Sequence, residues 1–289
     1  MKLGQFEIDI LSDGTLALDG GQMFGVVPKA LWERKLPADS RNRVRLALNC
    51  LLVRTPTQKV LIETGIGDKF EPKFTDIYGI EKPTTLLVEL EKRGLRPDDI
   101  DIVINTHLHF DHCGWNTRLE NGRLVPTFSR ARYFIQKDEW EHALHPTVRD
   151  RVSYRPDFFQ PAGCQTEFLQ GNHEIVPGIR VEVLPGHTRD MQCVWIESEG
   201  ECACFVGDLV PTRAHLPYPW IMAFDLYPLE TLAQRQRLFP ELAARNVLVI
   251  LPHDIEAPCV RLREKDGKIL GEPVTPNAHD GKDARHVQS

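Results

Sequence analysis

Apolar residues occur along this chain in short runs, many of which end at a turn or at a cluster of polar side chains. Residues 44–54, 59–63 and 131–136 have the length and the β-branched or aromatic content of strands. Residues 229–245 instead repeat apolar side chains at helical spacing. Strands and helices therefore alternate along the chain, and this order of elements predicts buried sheets covered by helices.

Two further patterns predict local structure. A helix is expected after Thr84 or Thr85, either of which can cap its first turn, and it should end near Gly94. Hairpins are expected at Asn121-Gly122 and also within residues 6–18, where Ser12-Asp13-Gly14 interrupts an alternating apolar pattern.

The densest chemistry follows the apolar run Ile102-Val103-Ile104, where His107, His109, Asp111 and His112 stand close together. His107 and His109 are two residues apart, so on an extended segment their imidazoles leave the same face. Asp111 and His112 follow where the chain must turn. One loop can therefore supply ligands to two adjacent metal positions, with nitrogen and oxygen donors that suit zinc, and also iron, manganese or cobalt.

Three more candidate ligands stand directly after apolar runs further along the chain. His187 follows residues 181–184 and a Pro-Gly turn, Asp208 follows 202–206, and His253 follows 247–251. All four ligand-bearing loops are thus expected at the ends of buried strands. That placement is typical of a metal site at one edge of a sheet.

The order and spacing of these residues resemble the metallo-β-lactamase superfamily. Glu63-Thr64-Gly65 is similar to the Asp-Thr-Gly turn of that family, with glutamate in place of aspartate. The resemblance implies an α+β fold, an αββα sandwich of two mixed β-sheets flanked by helices. It also implies two divalent metal ions, with zinc (Zn2+) the first expectation, and the following ligands: His107, His109 and His187 for one ion, Asp111, His112 and His253 for the other, and Asp208 between them.

Within this superfamily the chain looks most like the quorum-quenching N-acyl homoserine lactonases. The resemblance implies a lactonase in which a hydroxide shared by the two metals attacks the lactone carbonyl, with Asp111 and Asp208 as catalytic residues. Some of these lactonases have a tyrosine three residues after the bridging aspartate, whereas this chain has Pro211. Tyr218 and Tyr227 are the candidates to replace it. An organophosphate triester or aryl ester hydrolase is the alternative within the fold, and a metal-holding binding scaffold is the alternative outside enzymes.

Composition narrows the expected partners. The 289 residues carry a net charge of −6, with 42% hydrophobic and 26% charged residues, and contain no run of basic side chains. A nucleic-acid surface is therefore not expected, and no apolar run approaches the length of a membrane span. We expect a cytoplasmic enzyme that acts on a small-molecule lactone or ester, with one domain over residues 1–271 and a polar C-terminal tail over 272–289. The cysteines are expected to be reduced and mostly buried.

Three aromatic-rich segments are candidates for the substrate pocket. Residues 20–39 and 68–82 could wall the pocket or simply pin a loop to the core, and residues 216–228 could be pocket wall, dimer contact or core. The last segment and the family resemblance suggest a homodimer. His215, which precedes this segment, is expected to be a solvated loop histidine, with contact to the substrate as the alternative.

Overall fold

The computed structural model describes residues 1–275. The strands within this range are β1 Lys2–Leu3, β2 Phe6–Asp19, β3 Arg43–Arg54, β4 Lys59–Ile62, β5 Ile102–Ile104, β6 Thr117–Glu120, β7 Arg123–Pro126, β8 Arg132–Gln136, β9 Thr166–Leu169, β10 His173–Val176, β11 Ile179–Val183, β12 Gln192–Ser198, β13 Glu201–Phe205, β14 Leu248–Ile250, β15 Cys259–Lys265 and β16 Lys268–Pro273. The α-helices are α1 Gly20–Phe24, α2 Lys29–Trp32, α3 Pro72–Ile77, α4 Leu86–Glu91, α5 Lys137–Leu144, α6 Pro156–Phe159 and α7 Pro228–Ala244.

Two seven-stranded sheets form the centre of the molecule. The first has the order β1-β2-β3-β4-β5-β8-β9, and the second has the order β10-β11-β12-β13-β14-β15-β16. Each sheet is mixed. Strands β4, β5, β8 and β9 run parallel in the first sheet, and β13 and β14 run parallel in the second.

The two sheets pack face to face through apolar side chains. Ile62 and Ile104 from the first sheet share one buried cluster with Val194, Phe205 and Ile250 from the second. Helices cover the outer faces. Helix α4 packs Leu86 and Leu90 against the first sheet, and helix α7 packs Leu238, Phe239 and Leu242 against the second. This layering confirms the αββα sandwich.

The predicted hairpin within residues 6–18 is wrong. Strand β2 is continuous and pairs with β3 from Glu7↔Arg54 to Asp19↔Arg43, with an irregularity between Ser12 and Thr15. Asp13 does not turn the chain, because its buried carboxylate accepts hydrogen bonds from the backbone N–H groups of Ile66 and Leu86 and from the indole of Trp115. Distant donors thus hold a sequence that locally favours a turn in an extended strand.

Most other predicted elements are confirmed. Thr85 caps α4, its side chain accepting from the N–H of Val88, and Asn121 and Gly122 join β6 to β7 with positive φ angles. Strand β16 continues to Pro273, so Glu272 and Pro273 lie in the second sheet rather than in the predicted tail. Residues 276–289 of that tail lie outside the described residues, and the division at 271 stays a prediction. None of the helices within residues 1–275 is long and apolar enough to cross a membrane.

Candidate metal centre

Four loops that follow strand ends meet at one edge of the sandwich. His107–His112 lies beyond β5, His187 beyond β11, Asp208 beyond β13 and His253 beyond β14. The sheets are tied together there, because the backbone N–H of Gln192 donates to the carbonyl of Thr106 at 2.9 Å. The side-chain amide of Gln192 donates to the carbonyl of Asn105 at 2.9 Å. These bonds fix the first loop against the second sheet.

Three imidazole nitrogens converge on one point. His109 Nδ1 lies 3.1 Å from His107 Nε2 and 3.0 Å from His187 Nε2. All three side chains are buried, and His109 Nε2 has no hydrogen-bond partner among the described residues. Together they form a group able to hold a metal ion.

A second group lies beside the first. His112 Nε2 and His253 Nε2 are 3.3 Å apart, Asp111 Oδ1 lies 3.8 Å from His112 Nε2, and Asp111 Oδ2 lies 3.8 Å from His253 Nε2. These residues form a second set of donors able to hold a metal ion.

Asp208 stands between the two groups. Its Oδ2 lies 3.4 Å from His187 Nε2, and its Oδ1 lies 3.1 Å from His253 Nε2 and 3.5 Å from His112 Nε2. Oδ1 is buried and accepts no hydrogen bond from the described part of the chain. One carboxylate therefore faces both sets of imidazoles.

The spacing of these donors fits metal coordination. Tetrahedral ligands about 2.0–2.1 Å from a zinc ion stand about 3.3 Å from one another, and the distances within each group cluster around that value. Two ring nitrogens this close make at most one hydrogen bond between them, so buried nitrogens converging in this way require a proton or a cation to satisfy their lone pairs. The residues present therefore fit a metal-binding role.

Burial and charge set the protonation of the first group. Burial lowers the pKa of His107 and of His109 well below the ordinary value, and the neighbouring imidazoles lower it further. Both rings are therefore neutral, which is the form that ligates metals.

The remaining charges are balanced around Asp208. Burial alone would raise the pKa of its carboxyl, but His253, His112 and His187 hold that pKa well below the usual range. Conversely, burial would lower the pKa of His112, and Asp111, Asp208 and Glu63 raise it well above the ordinary value. The acids in this pocket thus favour positive charge on its donors, whether that charge is a proton or a metal ion.

Comparison with known proteins agrees with this geometry. Residues 44–253 match the family described as the Metallo-beta-lactamase superfamily. The chain belongs to this superfamily. It is 30% identical over 243 residues, 80% of this chain and 88% of the relative, to N-acyl homoserine lactonase AiiA of Bacillus thuringiensis subsp. kurstaki.

Solved structures extend the likeness over nearly the whole chain. A probable metal-dependent hydrolase from Staphylococcus aureus is 30% identical and superposes with a TM-score of 0.89, covering 96% of this chain and 100% of its own. AidC, a dizinc quorum-quenching lactonase in complex with a product, is 21% identical with a TM-score of 0.81, covering 96% and 97%. The protein is thus a metallo-β-lactamase superfamily hydrolase of a lactonase-like group.

Three of the candidate ligand histidines of this metallo-hydrolase also make a contact through their other ring nitrogen, Nδ1. The Nδ1 atoms of His107, His187 and His253 contact the Thr106 hydroxyl at 2.9 Å, the Asp225 carboxylate at 2.9 Å and the Ala47 carbonyl at 2.8 Å. Such contacts fix which ring nitrogen is free to ligate. Asp225 was not singled out from the sequence, because it lies 38 residues from His187 in an aromatic loop.

Glu63 has the same supporting role for His112. Its Oε1 accepts the N–H of Thr106 at 2.9 Å and lies 3.5 Å from His112 Nδ1, on the side of the ring away from His253. Glu63 itself has a φ of 63°. Glu63, His107 and His112 lie close enough to one another to hold a metal. However, the Glu63 carboxylate already accepts a hydrogen bond from the backbone of Thr106, and this bond orients the loop that carries His107 and His112.

Glu139 is a second residue that sequence reasoning missed. From helix α5 its buried carboxylate accepts the N–H of Leu108 at 2.9 Å and the hydroxyl of Thr188 at 2.7 Å. Leu108 lies between His107 and His109, and Thr188 follows His187. Glu139 thus joins two of the ligand-bearing loops.

A small cavity opens onto the metal centre. This inner cavity, of about 130 Å³, reaches Asp111, Asp208 and His253 and is walled by the following residues: Leu18, Gln22, Met23, Leu46, Tyr78, His109, Phe110, Val152, Ser153, His187, Met222 and Phe224. All three aromatic-rich segments contribute to its wall. Residues 20–39 and 216–228 also supply core, since Phe24, Trp32 and Leu216 are buried away from this cavity.

The other sequence candidates lie away from this cavity. His215 is buried rather than solvated, stacking on Phe24 at 4.6 Å and contacting the Met23 carbonyl through Nε2. Tyr218 stacks on Phe239, and Tyr227 lies below Arg189, so neither replaces the tyrosine absent at Pro211.

Proposed function

We propose that this hydrolase opens the lactone ring of N-acyl homoserine lactones at a centre holding two divalent cations, zinc first among them. His107, His109 and His187 would hold one cation and Asp111, His112 and His253 the other. The observation that carries the proposal is Asp208, whose two oxygens face the two imidazole sets. When bound, such cations supply a water of lowered pKa and Lewis-acid polarisation of a carbonyl.

The chain's own residues would supply proton handling and orientation. Asp111 lines the inner cavity and lies within 3.8 Å of His112 and His253, where its carboxylate can accept or pass a proton. Asp208 is buried and ionised, so it can hold the two imidazole sets at a fixed separation. These are the catalytic roles that we assign to Asp111 and Asp208.

Tyr78 is the tyrosine that we assign to the substrate carbonyl. It lines the inner cavity with Asp111, and its hydroxyl makes no hydrogen bond to another described residue. Burial and the Asp111 charge raise the pKa of this phenol, so it remains a proton donor at neutral pH. Its predicted role is to hydrogen-bond the carbonyl oxygen as charge develops there.

The acyl chain would occupy the apolar part of the same cavity. Leu18, Met23, Leu46, Met222 and Phe224 present apolar side chains there, which favour a hydrocarbon chain and exclude water from the reacting ester. This substrate class is supported by the similarity of the chain to AiiA, an N-acyl homoserine lactonase, and to AidC, a quorum-quenching lactonase.

The test is a comparison of two substrates on the metal-loaded protein. Proton release from short-chain and long-chain N-acyl homoserine lactones is followed beside hydrolysis of a paraoxon-type triester. Efficient lactone opening with weak triester turnover is expected. The reverse ranking would move the function to phosphotriester or aryl ester hydrolysis, and stoichiometric metal without any turnover would favour a binding scaffold.

Variants test the residue assignments. Asp208→Asn should lose bound metal and nearly all activity, whereas Asp266→Asn, in the exposed β15–β16 turn, should lose neither. Tyr78→Phe should lower kcat by about 10²-fold with metal content unchanged. Tyr218→Phe is its matched control, and equal activity of the two phenylalanine variants would contradict the role given to Tyr78.

A further inference from the structure

A second and larger cavity lies on the other side of His253. This outer cavity, of about 600 Å³, is bounded by residues 34–37, Arg45, and the segments 212–214, 216–217, 253–256 and 269–271. Its volume falls in the range of about 300–1,000 Å³ that small-molecule sites occupy. His253 belongs to the lining of both cavities, so a ligand here would lie directly behind the metal centre.

The acidic side chains of the outer cavity are already paired. Asp254 accepts the Arg213 backbone N–H at 2.9 Å and its Nε at 3.1 Å, and also the N–H of Ala257 at 2.8 Å. Glu256 accepts from the Arg213 guanidinium at 2.8 Å. Arg213 and these two acids together carry one net negative charge, which the exposed side chain of Glu256 presents to solvent.

Two further cations that line the outer cavity have no such partner. The side chains of Arg34 and Lys35 are exposed, and neither makes an ion pair or a side-chain hydrogen bond within residues 1–275. Arg45, beside them, is paired with Glu81 at 2.7 Å. The cavity therefore offers two positive charges without a partner within residues 1–275, against one net negative charge at Arg213, Asp254 and Glu256.

The remainder of the wall is apolar. Leu36, Leu216 and Ile269 line it, and Ile255 and Leu270 expose 49% and 46% of their surfaces. Exposed large apolar side chains that face a concave surface lose contact with water when a hydrocarbon group covers them.

We infer that the outer cavity binds an amphipathic carboxylate, with the acid group on Arg34 and Lys35 and an unbranched acyl chain over Ile255 and Leu270. Guanidinium and ammonium groups form charge-assisted hydrogen bonds with carboxylates. Two sources share this chemistry. One is a free fatty acid, and the other, which rests on the proposed function, is the N-acyl homoserine that lactone opening would release.

The experiment measures binding without turnover, so it can succeed or fail independently of lactonase activity. Sodium octanoate, sodium decanoate and 1-octanol are titrated into the metal-loaded full-length protein by calorimetry. We expect decanoate to bind, octanoate to bind more weakly by about fourfold for each methylene removed, and the uncharged alcohol to bind at least tenfold more weakly than octanoate.

Variants place the ligand. Arg34→Gln/Lys35→Gln should weaken decanoate binding at least tenfold, and Leu270→Glu should weaken it by repelling the acid. The control Lys2→Gln/Arg130→Gln removes the same charges from exposed positions elsewhere and should bind as the parent does. A carboxylate bound at the metals would be indifferent to Arg34 and Lys35. An unchanged affinity in the first variant, an equal loss in the control, or no binding by the parent would each overturn the inference.

A final titration separates the two sources. N-octanoyl homoserine, the ring-opened acid, is compared with octanoate in the parent and in Arg34→Gln/Lys35→Gln. Tighter binding of the homoserine acid, lost in the variant, supports a reaction product as the ligand. Tighter binding of octanoate, lost in the variant, supports a free fatty acid.

Discussion

Replacing Glu139 by alanine tests whether this carboxylate holds the metal loops together. Leu108 and Thr188 are both fully buried, and Glu139 accepts a hydrogen bond from each. Without the carboxylate, the Leu108 N–H and the Thr188 hydroxyl are left unpaired. Each such loss costs about 1–3 kcal/mol, so we expect the free energy of unfolding to fall by about 2–6 kcal/mol.

The glutamine variant refines this expectation. Glu139→Gln keeps the shape, and its amide oxygen can accept the N–H of Leu108 while its amide N–H donates to the Thr188 hydroxyl oxygen, which can accept as well as donate. Both contacts survive without the charge, so the loss should be smaller than that of alanine. Both variants should also weaken metal binding, because an outer contact of this kind typically contributes about 10–100-fold to metal affinity.

Two measurements are needed. Urea unfolding of the metal-free protein, followed by circular dichroism, gives the stability change, and competition with a chelator gives the metal affinity. Glu141→Ala is the matched control, since Glu141 lies on the same helix and is exposed. If Glu139→Ala matched this control within about 0.5 kcal/mol and bound metal as tightly as the parent, Glu139 would not link the loops.

Three further outcomes are expected from the same structure. Asp225→Asn should lower metal affinity by about 10–100-fold because it weakens the contact that orients His187, and chelator competition that shows no change would contradict this. Removing metal with a chelator should lower the melting temperature, because a cation at about 1,000 times its Kd stabilises the fold by about 4 kcal/mol. An unchanged melting temperature would mean that the stability of the fold does not depend on metal. For Asp150, burial would raise the pKa, but hydrogen bonds from Thr147 and His142 lower it below the ordinary value. Its stabilisation is therefore present above about pH 4 and lost as the pH falls further, so Asp150→Asn should flatten the acid limb of a stability–pH curve measured by urea unfolding.

The sequence predicts the candidate metal centre because its signal is local. His107, His109, Asp111 and His112 stand together after one apolar run, and His187, Asp208 and His253 each follow another. Parallel strands bring their carboxyl ends to the same edge of a sheet, as β4 with β5 and β13 with β14 do here. Strand ends that carry ligand-type side chains are therefore predicted to meet.

The residues that support the candidate ligands by hydrogen bonds have no comparable pattern in the sequence. Glu139 lies on a short helix and Asp225 in an aromatic loop, and each contacts a ligand loop through folding alone. The two wrong predictions, the hairpin within residues 6–18 and the solvated His215, have the same cause. Ser12-Asp13-Gly14 favours a turn locally, but Asp13 is satisfied by donors from three distant segments. His215 is polar and near a site, yet its Nε2 contacts the carbonyl of Met23, 192 residues away.

These supporting contacts explain how a cluster of buried imidazoles can keep its geometry. The ring nitrogens of His107 and His187 lie 3.1 and 3.0 Å from His109 Nδ1, and buried nitrogens this close cannot all satisfy their lone pairs by bonding one another, so contacts from outside the cluster are needed to oppose their separation. Gln192 fixes the first loop to the second sheet, and Glu139 fixes it to the loop of His187. Both contacts join residues of this chain to one another, so they set the separation of the ligand-bearing loops, and we expect their loss to lower metal affinity as well as stability.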